Sequence, residues 1–184
     1  SLKAEQENLV WMDLEMTGLD PSKDRILEIA VLVTDSDLNL LSEGPTFFLS
    51  QPEVILNNMD DWNTRHHTDS GLLDRVRAEG IKEKEAEVRV LDYLNSYVKE
   101  GSSPLCGNSV WHDRRFLEKY MPQLNLFFHY RNIDVSSIKE LARRWVPEVA
   151  RGVKKTGAHR ALDDIRESLA ELKFYRENFF KLKS

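Results

Sequence analysis

Apolar residues run along three segments near the start of the chain, each bounded by turn residues. The segments are "NLVWMDLEMTG", "RILEIAVLVTD" and "LNLLSEGPTFFLS". This pattern predicts three consecutive strands that pair as an antiparallel meander. A polar region with helical periodicity follows, from about Pro52 to Glu100.

The rest of the chain alternates short strands with helices. "PLCGNS" predicts a buried strand that opens into a helix at "VWHDRRFLEKYM", and "YRNIDV" predicts a strand before the helix "SSIKELARRWV". "RALDDIRESLAELKFYRENFFK" predicts a long closing helix. A meander followed by this alternation predicts an α/β fold with helices packed on a mixed sheet. We expect one domain over residues 1–184, of which about 1–8 form an extension whose pattern says little.

Two carboxylates stand in the first predicted strand, at Asp13 and Glu15. Side chains alternate between the faces of a strand, so both acids share a face with Trp11 and Thr17. The ordinary interpretation is that this face is wet. The other interpretation is that the two acids serve one site.

Asp113 also occupies an unusual position for an acid. At about 100° per residue, Leu117 and Tyr120 fall roughly 40° and 20° from it on the helix. A carboxylate on a buried helix face is costly unless a cation meets it. An acid in the first turn also suits the helix dipole, so a simple capping role stays open.

The closing helix offers two neighbouring acids. Asp164 lies roughly 100° from the centre of the apolar arc and Asp163 roughly 160°, so we expect Asp163 to face solvent and Asp164 to flank the buried seam. His159 is expected on the loop "KKTGAH", where Gly157 supplies backbone freedom. An isolated loop histidine is commonly just a surface residue.

The acids at Asp13, Glu15, Asp113 and Asp164 cannot all be ionised in one pocket without cations. Oxygen-rich sites of this kind suit Mg²⁺ or Mn²⁺. Two such ions about 3.5–4 Å apart can clamp an in-line phosphoryl displacement. A neutral histidine beside them could take the proton from the attacking water.

Composition narrows the possible functions. A net charge of −5 argues against tight, sequence-blind binding to long nucleic acid, which depends on neutralising many phosphates, but it allows a short anionic ligand. The single Cys106 excludes an internal disulfide and suits a reducing compartment. No run is long and apolar enough to span a membrane, and no signal peptide opens the chain. We therefore expect a cytoplasmic protein with no membrane partner.

Three motifs occur in order: "DLE", "GNSVWHD" and "HRALDD", the last with H-x-x-x-x-D spacing from His159 to Asp164. They resemble the motifs of the DEDD exonucleases in the branch that carries a histidine. "MDLEMTGLDPSKDRILEIAVLVTDSDLNLLSEGP" and "FHYRNIDVSSIKELARRW" extend the resemblance to the oligoribonuclease family, over about Leu9 to Lys181.

This resemblance implies a ribonuclease H-like fold, a five-stranded mixed sheet flanked by helices. It implies a homodimer that removes nucleoside 5′-monophosphates 3′→5′ from very short RNA, especially dinucleotides, with two Mg²⁺ or Mn²⁺ ions. The implied general base is His159. The implied metal ligands are the acids Asp13, Glu15, Asp113 and Asp164.

The resemblance also implies a set of substrate-binding residues. Leu19 and Trp62 would wedge and stack the bases, with His67 near them, and such stacking tolerates any base sequence. A cap on the 5′ end would be formed by Ser109, Arg131, Ser136 and Lys139. Two of these, Ser136 and Lys139, stand where a helix begins, and helix N-termini favour phosphate. Tyr130 would enter this pocket from the other subunit.

Other interpretations of the same residues stay open. Trp62 could be an ordinary packing aromatic, Ser136 could only cap a helix, and Arg114–Arg115 are expected on a solvated helix face. The alternative functions are another DEDD exonuclease acting on longer RNA or DNA, and a dimer that binds nucleotides without catalysis.

Overall fold

A five-stranded mixed sheet organises the chain in this computed structural model, which describes residues 2–157 and 159–183. The strands are β1 (Leu9–Met16), β2 (Ile26–Thr34), β3 (Leu40–Phe48), β4 (Leu105–Gly107) and β5 (Asn132–Asp134). Their order is β3-β2-β1-β4-β5. The first three form the predicted antiparallel meander, and β4 runs parallel to both β1 and β5. The predicted α/β class and mixed sheet are confirmed.

Helices cover both faces of the sheet. They are α1 (Leu2–Glu7), α2 (Glu53–Asn57), α3 (Asp61–Asp69), α4 (Leu72–Glu79), α5 (Glu83–Asn95), α6 (Val110–Tyr120), α7 (Pro122–Phe127), α8 (Val135–Trp145), α9 (Pro147–Ala150) and α10 (Ala161–Asn178). Prolines open α7 and α9, where a missing backbone N–H costs nothing. None of the helices described is both long and apolar enough to cross a membrane.

Several predicted boundaries were wrong by a few residues. The closing helix is shorter than predicted at both ends, and β5 retains only the middle of the predicted strand. The opening segment, expected to be uninformative, contains the short helix α1. Helix ends depend on caps and tertiary contacts, which the periodicity of apolar residues does not report.

The sheet separates two apolar cores. One face of β1 carries Val10, Met12 and Leu14, which pack with residues of α5, α6 and α7. The opposite face carries Trp11, which packs with residues of α8 and α10. Trp11 and Thr17 are buried, so the interpretation of the Asp13–Glu15 face as a wet surface was wrong. Helix α10 covers it instead.

The strand β1 extends beyond the end of β4, its parallel neighbour. Pairing with β4 is confined to Val10 and Trp11, so the later part of β1 projects beyond β4 toward the start of α6. A register shift follows Glu15 in the pairing with β2. Bulges of this kind bend a strand and re-aim its side chains, and they concentrate near functional sites. The sheet therefore presents Asp13 and Glu15 at an irregular edge where several elements meet.

Candidate active site

Three acids from the two ends of the chain meet at this edge. Asp13, Glu15 and Asp164 each offer a carboxylate oxygen, and these oxygens lie within 4.8 Å of one another. The strand β1 supplies the first two and the first turn of α10 supplies the third. Ala161, Ile165 and Leu169 are buried under the sheet, and this anchors α10 with Asp164 at the rim of its apolar face.

Asp163, the acid next to Asp164 in the chain, faces solvent instead of other carboxylates. Asp163 keeps about half of its side chain exposed at 48% and forms an ion pair with Arg166 at 3.6 Å. The helical wheel predicts this difference between the two aspartates. The structure thus separates a surface acid from an acid that faces other carboxylates.

Burial raises the pKa of each acid in the cluster, and repulsion from the neighbouring acids adds to the shifts of Asp13 and Glu15. Burial raises the pKa of Asp13 well above its usual range, and the charges of Asp113 and Glu15 raise it further. Burial also raises the pKa of Glu15, to about 10, and a hydrogen bond to Asp164 adds to this shift. The pKa of Asp164 is raised by its own burial. Without cations, the cluster would therefore hold protons at neutral pH.

Asp113 lies beside this trio on α6. Its side chain is buried, as its place on the apolar stripe predicts, and burial raises its pKa while the Leu14 backbone N–H lowers it. The N-cap position of α6 belongs to Ser109, so Asp113 does not cap the helix. A buried carboxylate next to Asp13 instead adds a fourth acid to the same charge cluster.

The acids fit divalent cations on their own chemistry. Within the described residues, Asp13 Oδ2 is a buried oxygen that accepts no hydrogen bond. Buried polar atoms in proteins almost always have a partner. An unpartnered carboxylate oxygen among carboxylates with raised pKa values is the arrangement expected where a cation supplies the missing interaction.

His159 lies next to the acids in a strained backbone conformation. It has a φ of 55°, in the left-handed region that non-glycine residues seldom adopt, and Gly157 nearby has a φ of 67°. The His159 ring meets the edge of His66 at 4.7 Å between centroids. The adjacent Ala158 lies outside the described residues. The predicted loop position of His159 is confirmed.

A small cleft joins Glu15 of the acid cluster to the predicted base-binding residues. We call it the base cleft; it has a volume of about 150 Å³ and its lining includes Glu15, Leu19, Trp62, His67 and His159. A larger groove of about 960 Å³ continues from it, sharing Leu19 and Trp62. The structure therefore brings these sequence-predicted residues into one continuous depression.

The aromatic residues of the base cleft have distinct surroundings. Trp62 is 58% exposed and stacks on His66 at 3.8 Å, so it is not a core packing residue. His67 is buried, and its Nε2 donates to the Met16 carbonyl at 2.7 Å, which places the proton on Nε2. Burial lowers the pKa of His67, so the ring is neutral at neutral pH.

Comparison with known proteins identifies the family. The chain matches the RNase_T family of exonucleases over residues 10–172. The oligoribonuclease of Klebsiella pneumoniae subsp. pneumoniae is 59% identical over 181 residues, which is 98% of this chain and 100% of that protein. The oligoribonuclease of Salmonella typhimurium is 58% identical over the same extent.

The chain belongs to the oligoribonuclease family of exonucleases.

Solved structures agree with this family at the level of the fold. Exonuclease I from Methylocaldum szegediense superposes with a TM-score of 0.69 at 22% identity, over 94% of this chain and 41% of that one. E. coli Exonuclease I in complex with a dA16 oligonucleotide superposes with a TM-score of 0.71 at 18% identity, again over 94% and 41%. This oligoribonuclease-family chain thus has the ribonuclease H-like fold and spans about two fifths of those longer chains.

In this oligoribonuclease-family chain, the residues predicted to cap the 5′ end of the substrate form a less compact group than those of the base cleft. Ser109 and Ser136 come together because the Asp134 carboxylate accepts from both backbone N–H groups, at 2.9 and 3.0 Å. Asp134 is the N-cap of α8, so the capping role left open for Ser136 was wrong. Arg131 and Lys139 are exposed, and Tyr130 is 74% exposed.

The prediction of a solvated face was wrong for Arg114. Its guanidinium donates to the His129 carbonyl at 2.7 Å, to Asn132 Oδ1 at 3.0 Å and to Asn125 Oδ1 at 3.2 Å. These bonds tie α6, one residue after Asp113, to the segment that carries Tyr130 and Arg131. The partners lie up to 18 residues away, beyond the reach of helix periodicity.

Sequence reasoning also missed Asn108 and His66. Asn108 Nδ2 donates to Ser168 Oγ at 2.7 Å, one helical turn after Asp164, and so joins the β4–α6 junction to α10. His66 stands between Trp62 and His159. The only sequence signal for either was its place beside a predicted site residue, in "GNS" and "RHH".

Proposed function

We propose that this chain removes nucleoside 5′-monophosphates, one at a time, from the 3′ end of very short RNA, with dinucleotides as its preferred substrates. Membership of the oligoribonuclease family supports 3′→5′ exoribonuclease activity on short RNA. The observation that carries the proposal is geometric. Glu15, which belongs to the carboxylate cluster with Asp13 and Asp164, lines a small cleft together with Trp62, Leu19 and His159.

The cation sites follow from the donor set. We assign two divalent ions, Mg²⁺ or Mn²⁺, to the four carboxylates, because both ions prefer oxygen ligands. Bound cations supply charge neutralisation around the scissile phosphate and make its attack by water feasible. The ligands in this assignment are Asp13, Glu15, Asp113 and Asp164.

His159 acts as the general base in this proposal. It lines the same cleft as Glu15, and it is close enough to Asp164 to offset part of the rise that burial causes in the pKa of that acid, so the ring stands near the acids. A neutral imidazole beside the attacking water can take its proton. The 3′ oxygen of the upstream nucleotide then leaves, and the 3′ nucleotide departs as a 5′-monophosphate.

The base cleft holds the terminal base without reading its identity. Trp62 presents an exposed aromatic face and Leu19 an apolar side chain that is 74% exposed. Stacking on such surfaces contributes to binding for every base because each has a π-face. We place His67 beside them as a fixed wall, since its ring is held by the Met16 carbonyl.

In this proposal, the preference for short substrates arises from the residues that hold the 5′ end of the RNA. Ser109 and Ser136 meet at the start of α8, and Lys139 stands one turn along the same helix. Helix N-termini and nearby cations favour phosphate. With Arg131, this group would hold the 5′ end of a dinucleotide, and a longer strand would have to pass through it. The net charge of −5 also disfavours tight binding of long RNA.

We further propose that the chain acts as a homodimer of single-domain subunits in the cytoplasm. Tyr130, next to Arg131 of the cap group, and Leu126, four residues earlier, leave 74% and 69% of their side chains exposed, more than a large apolar side chain usually shows. A second subunit would cover them and bring Tyr130 to the neighbouring site. The free, buried thiol of Cys106 suits a reducing compartment.

The test compares 5′-labelled RNA of increasing length. A diribonucleotide, a tetranucleotide and a decanucleotide of matched sequence are incubated with Mg²⁺, with Mn²⁺ and with chelator. We expect the highest kcat/KM on the dinucleotide, a mononucleotide product in each case and no turnover in chelator. Faster cleavage of the decanucleotide would favour an exonuclease of long strands. Equal turnover in chelator would overturn the metal assignment.

A further inference from the structure

A further carboxylate, Glu28, is buried on the same face of the sheet as the catalytic acids. It lies directly across from Glu15 in the β1–β2 pairing, so the two side chains share a face. Its side chain is 1% exposed. An acid in this position would be expected either to join the cation site or to be neutralised by another group.

The structure shows that Arg160 neutralises Glu28. The Arg160 Nη2 lies 3.0 Å from Glu28 Oε2, and its Nε lies 3.2 Å from the same oxygen and 3.3 Å from Oε1. The Ala161 backbone N–H donates to Glu28 Oε1 at 2.8 Å. Both carboxylate oxygens are therefore used, and one of them holds the first residue of α10.

Arg160 is also fixed on its other sides. Its Nη1 donates to the Ser70 carbonyl at 3.3 Å, and its guanidinium lies 5.4 Å from the centre of the Phe48 ring. Its side chain is 24% exposed. The planar fork of arginine can make these contacts together, whereas a lysine ammonium could satisfy only some of them.

Arg160 connects the two residues that the second half of the chain brings to the acids. It directly follows His159, and its carbonyl accepts from the Asp164 backbone N–H at 3.0 Å to close the first turn of α10. His159 has a φ of 55°. A strained conformation of this kind persists only where the surrounding contacts hold it.

We propose that Glu28 and Arg160 are positioning residues whose ion pair holds His159 and Asp164 at their working places beside Asp13 and Glu15. The role rests on the proposed function, because it acts through the general base and a metal ligand. Glu28 accordingly serves the site as the anchor of α10 and of the residue before it, and not as a ligand.

The kinetic test replaces Arg160 by lysine, which keeps the positive charge and removes the planar guanidinium with its several hydrogen-bond donors. We expect kcat on a dinucleotide to fall by about 10- to 100-fold, the range for small misplacements of catalytic groups, with KM changed by less than about threefold. The matched control is Arg166→Lys, six residues further along the chain in α10, because Arg166 forms an exposed ion pair with Glu43 at 2.6 Å. The control should keep wild-type kcat. A larger change in KM than in kcat would contradict the proposal.

A double variant separates positioning from general weakening of the fold. Because Arg160 acts partly through His159 and partly through Asp164, adding Arg160→Lys to His159→Ala should lower kcat further, but by a clearly smaller factor than Arg160→Lys lowers it in the wild type. Independent effects would multiply, so a full additional loss in the double variant would overturn this part of the proposal.

A third measurement needs no activity and therefore distinguishes failure of this inference from failure of the proposed function. Hydrogen exchange is followed in the wild type, Arg160→Lys and Glu28→Gln. We expect faster exchange in the segment 159–164, with the β1 and β2 amides unchanged. Unchanged exchange in 159–164, or acceleration throughout the sheet, would overturn the positioning role even if the wild-type protein cleaved no RNA.

Discussion

At the scale of single residues, the carboxylate cluster is unfavourable for the metal-free fold. Asp13 and Glu15 lie half-buried beside one another, and their pKa values are raised, that of Glu15 to about 10. Above the ordinary carboxyl pKa the unfolded chain ionises these groups freely, whereas the folded chain resists it. Clusters of this kind persist where function requires them.

The sign of this effect gives a test in chelator. Because the folded pKa of Glu15 is raised from 4.5 to about 10, its contribution to stability is lost progressively as pH rises through that interval. Between about pH 7 and pH 9, the free energy of unfolding of the metal-free protein should therefore fall. Restricting the range to values above about pH 7 avoids His67, whose lowered pKa acts only at lower pH.

The matched variant is Asp13→Asn, which removes one charge without changing size. Its free energy of unfolding should decline less steeply over the same range, measured by urea titration in chelator. Its turnover with Mg²⁺ should fall by more than about 100-fold, beyond the loss typical of residues that only support a ligand. A slope equal to that of the wild type would contradict the raised pKa values of Asp13 and Glu15.

The two adjacent aspartates of α10 provide a second test. Asp164→Ala should lower kcat/KM by more than about 100-fold and weaken Mn²⁺ binding measured by calorimetry. Asp163→Ala should change both by less than about twofold, since its exposed pair with Arg166 at 3.6 Å is of a kind worth about 0–1 kcal/mol. Equal losses in the two variants would show that α10 presents a different face to the acids.

At the scale of elements, the base cleft is assembled from parts that are separate in the chain. The turn after β1 supplies Leu19, helix α3 supplies Trp62 and the segment before α10 supplies His159. The Asp60 side chain caps α3 through the Asn63 N–H at 2.7 Å, which fixes the start of the helix next to Trp62. The cleft thus depends on short helices and turns around the rigid strand β1.

Replacement of Trp62 tests base stacking in this cleft. Trp62→Ala should raise KM for a dinucleotide by about 5- to 150-fold, since one stacked base is worth about 1–3 kcal/mol, with a smaller change in kcat. Trp62→Phe should recover most of the affinity. The control is Trp145→Ala, on α8, because Trp145 is similarly exposed at 67% and borders neither the base cleft nor the larger groove. An unchanged KM in Trp62→Ala would remove this residue from the substrate site.

At the scale of the whole molecule, the proposed dimer would complete each site with a residue of its neighbour. Tyr130 projects from the segment after α7, stacks on His129 at 4.4 Å and has the Arg131 guanidinium 5.4 Å from its ring centre. Phe127 and Phe128, just before it, are buried. The aromatic run therefore divides into two core phenylalanines, the half-buried His129 and the exposed Tyr130.

A mixed dimer tests the shared site. Tyr130→Ala should lower dinucleotide cleavage by about 10-fold or more if its ring helps to orient the substrate. Mixing Asp13→Asn chains with Tyr130→Ala chains should then restore part of the activity, because one site has intact acids and receives an intact tyrosine. Subunit exchange is confirmed with distinct tags. A confirmed mixed dimer without recovery, or a fully active monomer, would exclude a shared site.

The sequence by itself determined the elements whose signals are local. The meander, the alternation of strands with helices and the different faces of Asp163 and Asp164 all follow from side-chain periodicity, which local backbone geometry imposes. The ordered motifs also indicated the acids and His159 before their distances were known. Side-chain periodicity describes each strand or helix separately and does not say which of them are in contact.

Only the tertiary structure decided which of these residues meet and how each is held. Helix α10 turned the expected wet face of β1 into a buried one, and Arg114 bonded to a neighbouring segment instead of solvent. Glu28 and Arg160 lie 132 residues apart, and each would suit a solvated surface by itself. Their pairing depends on the packing of α10 across β1 and β2. Contacts between segments that are distant in the chain produce no periodic pattern in the sequence of either segment, so the sequence pattern does not predict them.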